Sequence, residues 1–347
     1  MVDTMRAQRL YTDSKTIAVE DVPIPEPGPG EVLVKVAFCG ICHSDLSLIN
    51  GTFPAFLPVV TQGHETSGTI AKLGPGVTGW KEGDRVVVAA GRPCMACVNC
   101  RRGDVTNCLA IQLMAFAYDG GWAEYTVAQA FGLTRVPDNV PLEQAAILAD
   151  AVSTPYAGLT DRGALRPGES VALWGIGGLG VHAVQIARMV GAAPIIAVDT
   201  LPAARERALA AGADHALDPA ADDVPARIRE ITGGLGVDLA VDLVGANAVL
   251  AQAAASIGRH GRVVMIGLSP QPIQLGMGTI FGVQSHALLG HLGYRKEHLD
   301  QLVTLVTHGQ LDISGSISDV MPLEDVARGV QRLASKEGNP IRLVVKP

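Results

Sequence analysis

Residues 171–180 read VALWGIGGLG, an apolar run entering a glycine string in which Gly175, Gly177 and Gly180 fit the spacing GxGxxG. An apolar face through Leu179, Ala183, Ile186 and Val190 follows, up to Gly191. Strand, tight turn and helix in that order form a cradle for a dinucleotide. Gly175 permits the turn, Gly177 lets backbone approach a pyrophosphate, and Gly180 brings helix against strand; Gly178 and Leu179 complete the loop, and phosphate meets the helix N-terminus. The glycine string alone is a weak signal, and its context supplies the specificity.

Working outward, the chain after residue 153 alternates short apolar runs with alanine-rich helical patterns. The expected strands are Ser170–Trp174, Ile195–Asp199, Leu239–Val244 and Arg262–Gly267. Helices are expected over Leu179–Val190, closed by Gly191, and over Ala203–Ala211, opened by Pro202 and closed by Gly212. Such βαβ repetition predicts an α/β Rossmann domain around a parallel sheet. Asp199 stands nineteen residues beyond Gly180, where a carboxylate can accept both ribose hydroxyls and repels a 2'-phosphate. This favours NAD(H) over NADP. Arg205 and Arg207 are near enough in sequence to reach a phosphate, and a helix-capping role for Asp199 is the plainer alternative.

Before residue 153 the chain is β-rich, with runs at Glu31–Phe38 (EVLVKVAF), Gly68–Leu73 and Asp84–Ala90 between glycine and proline turns. The organisation expected is a catalytic domain over 1–153, a dinucleotide domain over 154–290, and a return to the first domain over 291–347. The returning segment carries helical Leu323–Ala334 and the extended IRLVVK from Ile341.

The first domain holds CMACVNCRRGDVTNC, in which Cys94, Cys97, Cys100 and Cys108 are close enough to wrap one ion. Four thiolates leave no open position, so the lobe 92–108 is read as a structural zinc site. Two disulfides are the alternative. The sequence opens on no secretory pattern and its other two cysteines lie elsewhere, which favours zinc. Cys42 and His64, 22 residues apart, each follow a β-like run and sit at strand ends. Spacing leaves open whether they are a metal pair or a buried thiol and a satisfied histidine. Cys39 reads as a core thiol.

Composition bounds the partners. With 347 residues, 48% of them hydrophobic, the chain can bury a large core. Its net charge of −7 comes from scattered acids, so nothing attracts nucleic acid or an anionic membrane. No apolar stretch is long enough to span a bilayer, and a soluble cytoplasmic protein is expected.

GICHSD (40–45), GHE (63–65), the four-cysteine lobe and GIGGLG together resemble the zinc-dependent medium-chain alcohol dehydrogenases, from about Glu20 through Pro347. The resemblance implies a GroES-like catalytic domain, a Rossmann domain and a cleft between them. It implies a catalytic zinc on Cys42, His64 and a third ligand, usually cysteine; the matching position here is Asp150, whose carboxylate can complete the site. Some secondary-alcohol dehydrogenases of the family resemble that arrangement. Two zinc ions per chain and NAD(H) follow as cofactors.

By the same resemblance Glu65 lies behind the metal and Asp45 accepts the second ring hydrogen of His64. Ser44 touches the alcohol oxygen and carries its proton away as hydride passes to the nicotinamide. Ser47 stands where the family often has a relay histidine. His43 and Arg342 are implied at the pyrophosphate, Thr154 beside the nicotinamide, and Gly245, Gly267, Leu268 and Ser269 along the cofactor. Ala89 and Ala90 replace bulk found in relatives, while Phe53, Phe56, Leu57, Leu113, Met114 and Trp122 are candidate apolar walls. The expected substrates are medium-sized secondary, cyclic or aryl alcohols and their ketones. The alternatives are a polyol or sugar dehydrogenase, a primary or aryl alcohol dehydrogenase, a zinc-free quinone or enone reductase, and a non-catalytic binding protein. A homotetramer is expected, with a dimer second, and Phe281–Gly290 is read as an edge strand.

Overall fold

The computed structural model describes residues 3–347, which divide into two compact units. One runs to Ala151 and resumes at Arg295–Pro347; the other is Val152–Tyr294. The seams therefore differ by a few residues from those read after 153 and 290.

The first unit is organised by the strand Glu31–Ile41, in which Val32 and Val34 share one face and are fully buried while Lys35 on the other is exposed. It pairs antiparallel with Glu65–Leu73, Tyr125–Gln129 and Arg342–Lys346, the last in register Leu343↔Ile41. The C-terminal segment thus closes the sheet opened by residues near the N-terminus. Two apolar groups flank it. Val32, Val34, Ile70, Val86, Val88 and Leu133 pack together. On the second, Val36, Cys39, Ile41 and Trp122 meet Leu343, Val345 and the helix Val326–Ser335. Each buried valine or leucine contributes about 1.5–3 kcal/mol. A hairpin that the sequence patterning did not reveal, Thr4–Tyr11 with Thr16–Pro23, pairs from Thr4↔Pro23 to Tyr11↔Thr16.

The second unit is a six-stranded parallel sheet. Its spatial order is His215–Leu217, Ile195–Val198, Val171–Trp174, Val237–Asp242, Ile257–Met265, Ala287–Gly290, which is the Rossmann order 3-2-1-4-5-6. The chain reverses its direction of growth at Val171–Trp174, so the glycine string lies at the switch point where such sheets bind ligands. Val171–Trp174 and Ile195–Val198 are buried throughout, as strands covered by helices on both faces must be.

The helix after the glycine string is Gly180–Val190, and the next is Pro202–Ala210. Phe281–Gly290 departs from expectation: Gly278–Val283 is helical and only Ala287–Gly290 forms the edge strand. Gly282 and the polar run Gln284–His286 give its first half no strand alternation. Among the described residues no helix is long and apolar enough to cross a membrane.

Candidate metal and dinucleotide sites

His64 is delivered by a short segment pinned from the neighbouring loop. Gly120, Gly121 and Trp122 donate their N–H groups to the carbonyls of Thr61, Gly63 and Gln62, at 2.7, 2.7 and 2.9 Å. Gly63 has φ +90°, and a Cβ there would lie 2.6 Å from Cys39 Sγ. Only glycine fits, and the turn it makes aims His64 inward. Cys42 arrives at the other strand end, as the residue before the helix His43–Asn50. Asp45 Oδ2 accepts the Cys42 N–H at 2.9 Å, the N-terminal cap expected of an acid at that position.

Asp150 comes from far along the chain, in the π-helical stretch Leu148–Val152. Its Oδ2 lies 3.1 Å from Cys42 Sγ and 3.6 Å from His64 Nε2. One ligand atom from each of Cys42, His64, Glu65 and Asp150 lies within 4.8 Å of all the others. Ligands bound tetrahedrally at zinc distances stand about 3.3–3.8 Å from one another. The sulfur, nitrogen and oxygen donors therefore fit one such ion. Ser44 Oγ lies 3.7 Å from Cys42 Sγ.

Arg342 packs behind this donor set. Its guanidinium is 1% exposed, forms an ion pair with Glu65, donates to the Ile41 carbonyl at 3.3 Å and stands 3.6 Å from Asp150 Oδ2. The strand Arg342–Lys346 pairs beside Ile41 and so brings it among the acids of this cluster. Glu65 Oε1 also accepts the Ala151 N–H at 3.0 Å.

Burial drives the Glu65 carboxyl up to about 7 against the pull of Arg342. Burial and the Asp150 charge raise the Cys42 thiol. Burial lowers His64, but the carboxylates of Asp45 and Asp150 outweigh it and the imidazole is held well above its ordinary value. A divalent cation reverses this logic, since it needs the thiolate and the neutral imidazole.

The four-cysteine lobe is a second donor set. Cys97 Sγ lies 3.5 Å from Cys100 Sγ and 4.0 Å from Cys108 Sγ, close to the spacing of four sulfurs about one zinc. Backbone N–H groups point at the sulfurs, Cys97 to Cys94 at 3.3 Å and Cys94 to Cys108 at 3.2 Å. The N–H groups of Cys100 and Leu109 bring Cys97 down to about 6, and desolvation lifts Cys100 to about 12. The six cysteines are all free.

In the second unit the glycine string adopts the geometry its spacing suggests. Gly175 has φ +89°, a Cβ on Gly180 would run into the Gly175 carbonyl, and a Cβ on Gly177 would meet nothing within 4 Å. Gly177 therefore leaves an open backbone face on the loop. Asp199 Oδ2 accepts the Ile176 N–H at 2.7 Å and Oδ1 the Leu201 N–H at 2.8 Å, so the carboxylate also braces the loop. Arg205 is held on the carbonyls of Asp199 and Thr200 and on Asp218, at 2.8, 3.0 and 3.1 Å.

Gly245 and Gly267 end adjacent strands with their backbones in close approach. Leu268 is 44% exposed, and Ser269 Oγ accepts the Gln271 N–H at 3.2 Å. Thr154 is buried and its carbonyl accepts from His291 Nε2 at 3.1 Å. His43 is exposed at the start of its helix.

The candidate walls sort unevenly. Met114 and Trp122 are fully buried core residues, the indole donating to the Gly40 carbonyl at 3.1 Å, and Phe56 is 61% exposed. Phe53, Leu57 and Leu113 pack in one apolar group with Phe116. Phe116, which the sequence reading missed, tilts against His64 with ring centroids 5.9 Å apart and against Phe53 at 4.8 Å. In AFAYDG it has no strand or helix period to announce it.

Two family models match, the alcohol dehydrogenase GroES-like domain over residues 28–138 and the zinc-binding dehydrogenase over 178–308. An alcohol dehydrogenase of Geobacillus stearothermophilus is 35% identical over 99% of each chain. The chain belongs to the zinc-dependent medium-chain alcohol dehydrogenases. Among solved structures, an alcohol dehydrogenase of Thermus sp. superposes with a TM-score of 0.91 at 30% identity, covering 99% of each chain. Acetophenone reductase from Geotrichum candidum in complex with NAD superposes at 0.89 and 28% identity, covering 100% of this chain and 98% of that one. As a medium-chain alcohol dehydrogenase, the chain is a nicotinamide-dependent oxidoreductase with a GroES-like and a Rossmann domain.

Proposed function

We propose that this enzyme interconverts medium-sized secondary, cyclic or aryl alcohols and their ketones with NAD(H), and that each chain holds two zinc ions. Cys42, His64 and Asp150 would hold one, and Cys94, Cys97, Cys100 and Cys108 the other. The observation that carries the reading is the Asp150 carboxylate at 3.1 and 3.6 Å from Cys42 and His64, with the apolar group of Phe53, Leu57, Leu113 and Phe116 reaching His64 through the Phe116 ring. A carboxylate donates less electron density than a thiolate, and the apolar side chains offer contact area without charged handles for polyols.

When bound, zinc acts as a Lewis acid that makes an alcohol hydroxyl acidic, and the nicotinamide accepts the hydride. Ser44 takes the hydroxyl proton and passes it outward. With Ser47 where relatives often carry histidine, that path ends on water or on another histidine. Glu65 and Arg342 form a buried ion pair that balances charge behind the ligands. Asp199 would accept the ribose hydroxyls of a bound cofactor, which favours NAD(H) over NADP.

A substrate panel followed by NADH absorbance tests the reading. Turnover of 2-butanol, cyclohexanol and 1-phenylethanol above ethanol and above sorbitol is expected; ethanol matching or exceeding them overturns it. For assembly we propose a homotetramer, supported by the edge strand Ala287–Gly290 and the exposed Met277, Ile280, Val283 and Leu292 nearby in sequence. Light scattering checks the mass.

A further inference from the structure

Beneath His64 lies a buried amide pair. Gln8 and Gln62 are both 0% exposed, and Gln8 lies outside the segment matched by the family models. Gln8 Oε1 accepts the Gln62 main-chain N–H at 2.8 Å, Gln62 Nε2 donates to the Asp45 carbonyl at 3.1 Å, and Gln8 Nε2 faces Gln62 Oε1 at 3.4 Å. Neither amide can be flipped. A main-chain N–H only donates, so it requires the Gln8 oxygen; a carbonyl only accepts, so it requires the Gln62 nitrogen; the two remaining atoms then match each other. The Gln8 main chain is itself anchored, its N–H on the Trp122 carbonyl at 2.8 Å.

Two buried amides are a demanding way to fill this space, because an unmatched buried polar group is costly where an apolar pair risks nothing. Their partners point to what they do. Gln62 stands two residues before His64, and its side chain grips the main chain of Asp45. Asp45 in turn holds the Cys42 N–H through Oδ2 and presents Oδ1 to His64 Nδ1 at 3.6 Å. Asp45 Oδ1 and His64 Nδ1 have no hydrogen-bond partner among the described residues, so each has only the other to turn to.

We propose that Gln62, braced by Gln8, is a positioning residue for the metal ligand His64: it fixes the separation of Asp45 from His64 and so the ring orientation that aims Nε2 at Cys42 and Asp150. The inference rests on the reading of Cys42, His64 and Asp150 as a zinc site. Partners behind a ligating histidine commonly set metal affinity, and here the setting extends one residue further, to the N-terminal strand.

The test uses zinc-loaded full-length enzyme. Gln62→Met keeps length and burial but removes the donor to Asp45; Gln8→Met removes the brace behind it. Gln252→Met, which deletes the 3.1 Å bond to Trp174 Nε1 in the second unit, is the control. Zinc release to a chromophoric chelator, the cobalt-substituted absorption spectrum and the thermal midpoint are read for each. Gln62→Met is expected to release one of its two zinc ions about tenfold faster, with an altered cobalt spectrum. Gln8→Met should shift both the same way by less, while Gln252→Met lowers only the thermal midpoint. Wild-type release and cobalt spectra in both variants, with only the midpoint lowered, overturn the proposal; should Gln62→Met fail to fold, Gln8→Met decides alone. Wild-type enzyme holding a single zinc would instead overturn the site reading beneath it.

Discussion

The two donor clusters of the first unit are built in opposite ways. The four cysteines of the lobe fall within fifteen residues, and local turns aim backbone N–H groups at their sulfurs. Cys42, His64 and Asp150 span 109 residues and meet only after the sheet has formed, with Arg342 arriving from the far end of the chain. A local cluster organises itself around its ion, whereas a dispersed one is held by the fold and can leave a coordination position for chemistry. The donor chemistry differs in the same sense, four soft sulfurs against one each of sulfur, nitrogen and oxygen.

Asp150→Ala should break the contrast most severely. Turnover is expected to fall by about 100- to 1000-fold while NADH binding, read by fluorescence, persists; normal zinc content and activity would remove Asp150 from the mechanism. Cys100→Ser should act on the other cluster, lowering the thermal midpoint and the zinc content by one ion while kcat of the folded fraction stays within about threefold of wild type. A kcat loss as large as that of Asp150→Ala would mean the lobe is no independent structural element.

Protonation sharpens the comparison further. In metal-free protein His64 is held above its ordinary value, so its stabilising contribution is fully present below about 6.5 and is lost as pH rises through the folded value. Zinc runs the other way, because protons compete for the ligands and affinity falls with pH. Zinc uptake near neutral pH should therefore release protons from His64 and Cys42, and from Cys100 in the lobe, whereas Cys97, at about 6, is already largely thiolate. Indicator-dye measurements on wild type and Cys100→Ser separate the two; no proton release from the variant would contradict the electrostatics of the dispersed cluster. The smallest effect belongs to Asp119→Asn. It removes the charge facing Arg9 at 2.9 Å but leaves an oxygen for the Thr61 N–H, so stability should change by less than about 1 kcal/mol in denaturant titration.

What could be read from the chain follows the same division. The glycine string, the alternation of strands and helices, and the four cysteines are local patterns, and each is visible without a partner. Cys42 and His64 could be singled out but not joined, since no periodicity ties residue 42 to residue 64. Asp150 emerged only as a departure from a family pattern. Gln8, Phe116 and the pairing of Arg342 with Glu65 were beyond reach because a buried polar or aromatic side chain carries no mark of what it faces. Trp122 and Met114 failed for the converse reason: a large apolar residue near a site looks the same in a wall as in a core.

Asp150 projects from a turn that winds more loosely than the helix before it, the stretch Leu148–Val152 after Leu142–Ile147. Such a turn accommodates one surplus residue, and taking a residue out would tighten it and rotate the side chain by about 100° around the axis. The aim of the carboxylate is therefore a matter of how many residues the coil contains, not only of which residue stands at the position. A single-residue deletion that leaves Asp150 itself intact would turn the ligand away from its companions.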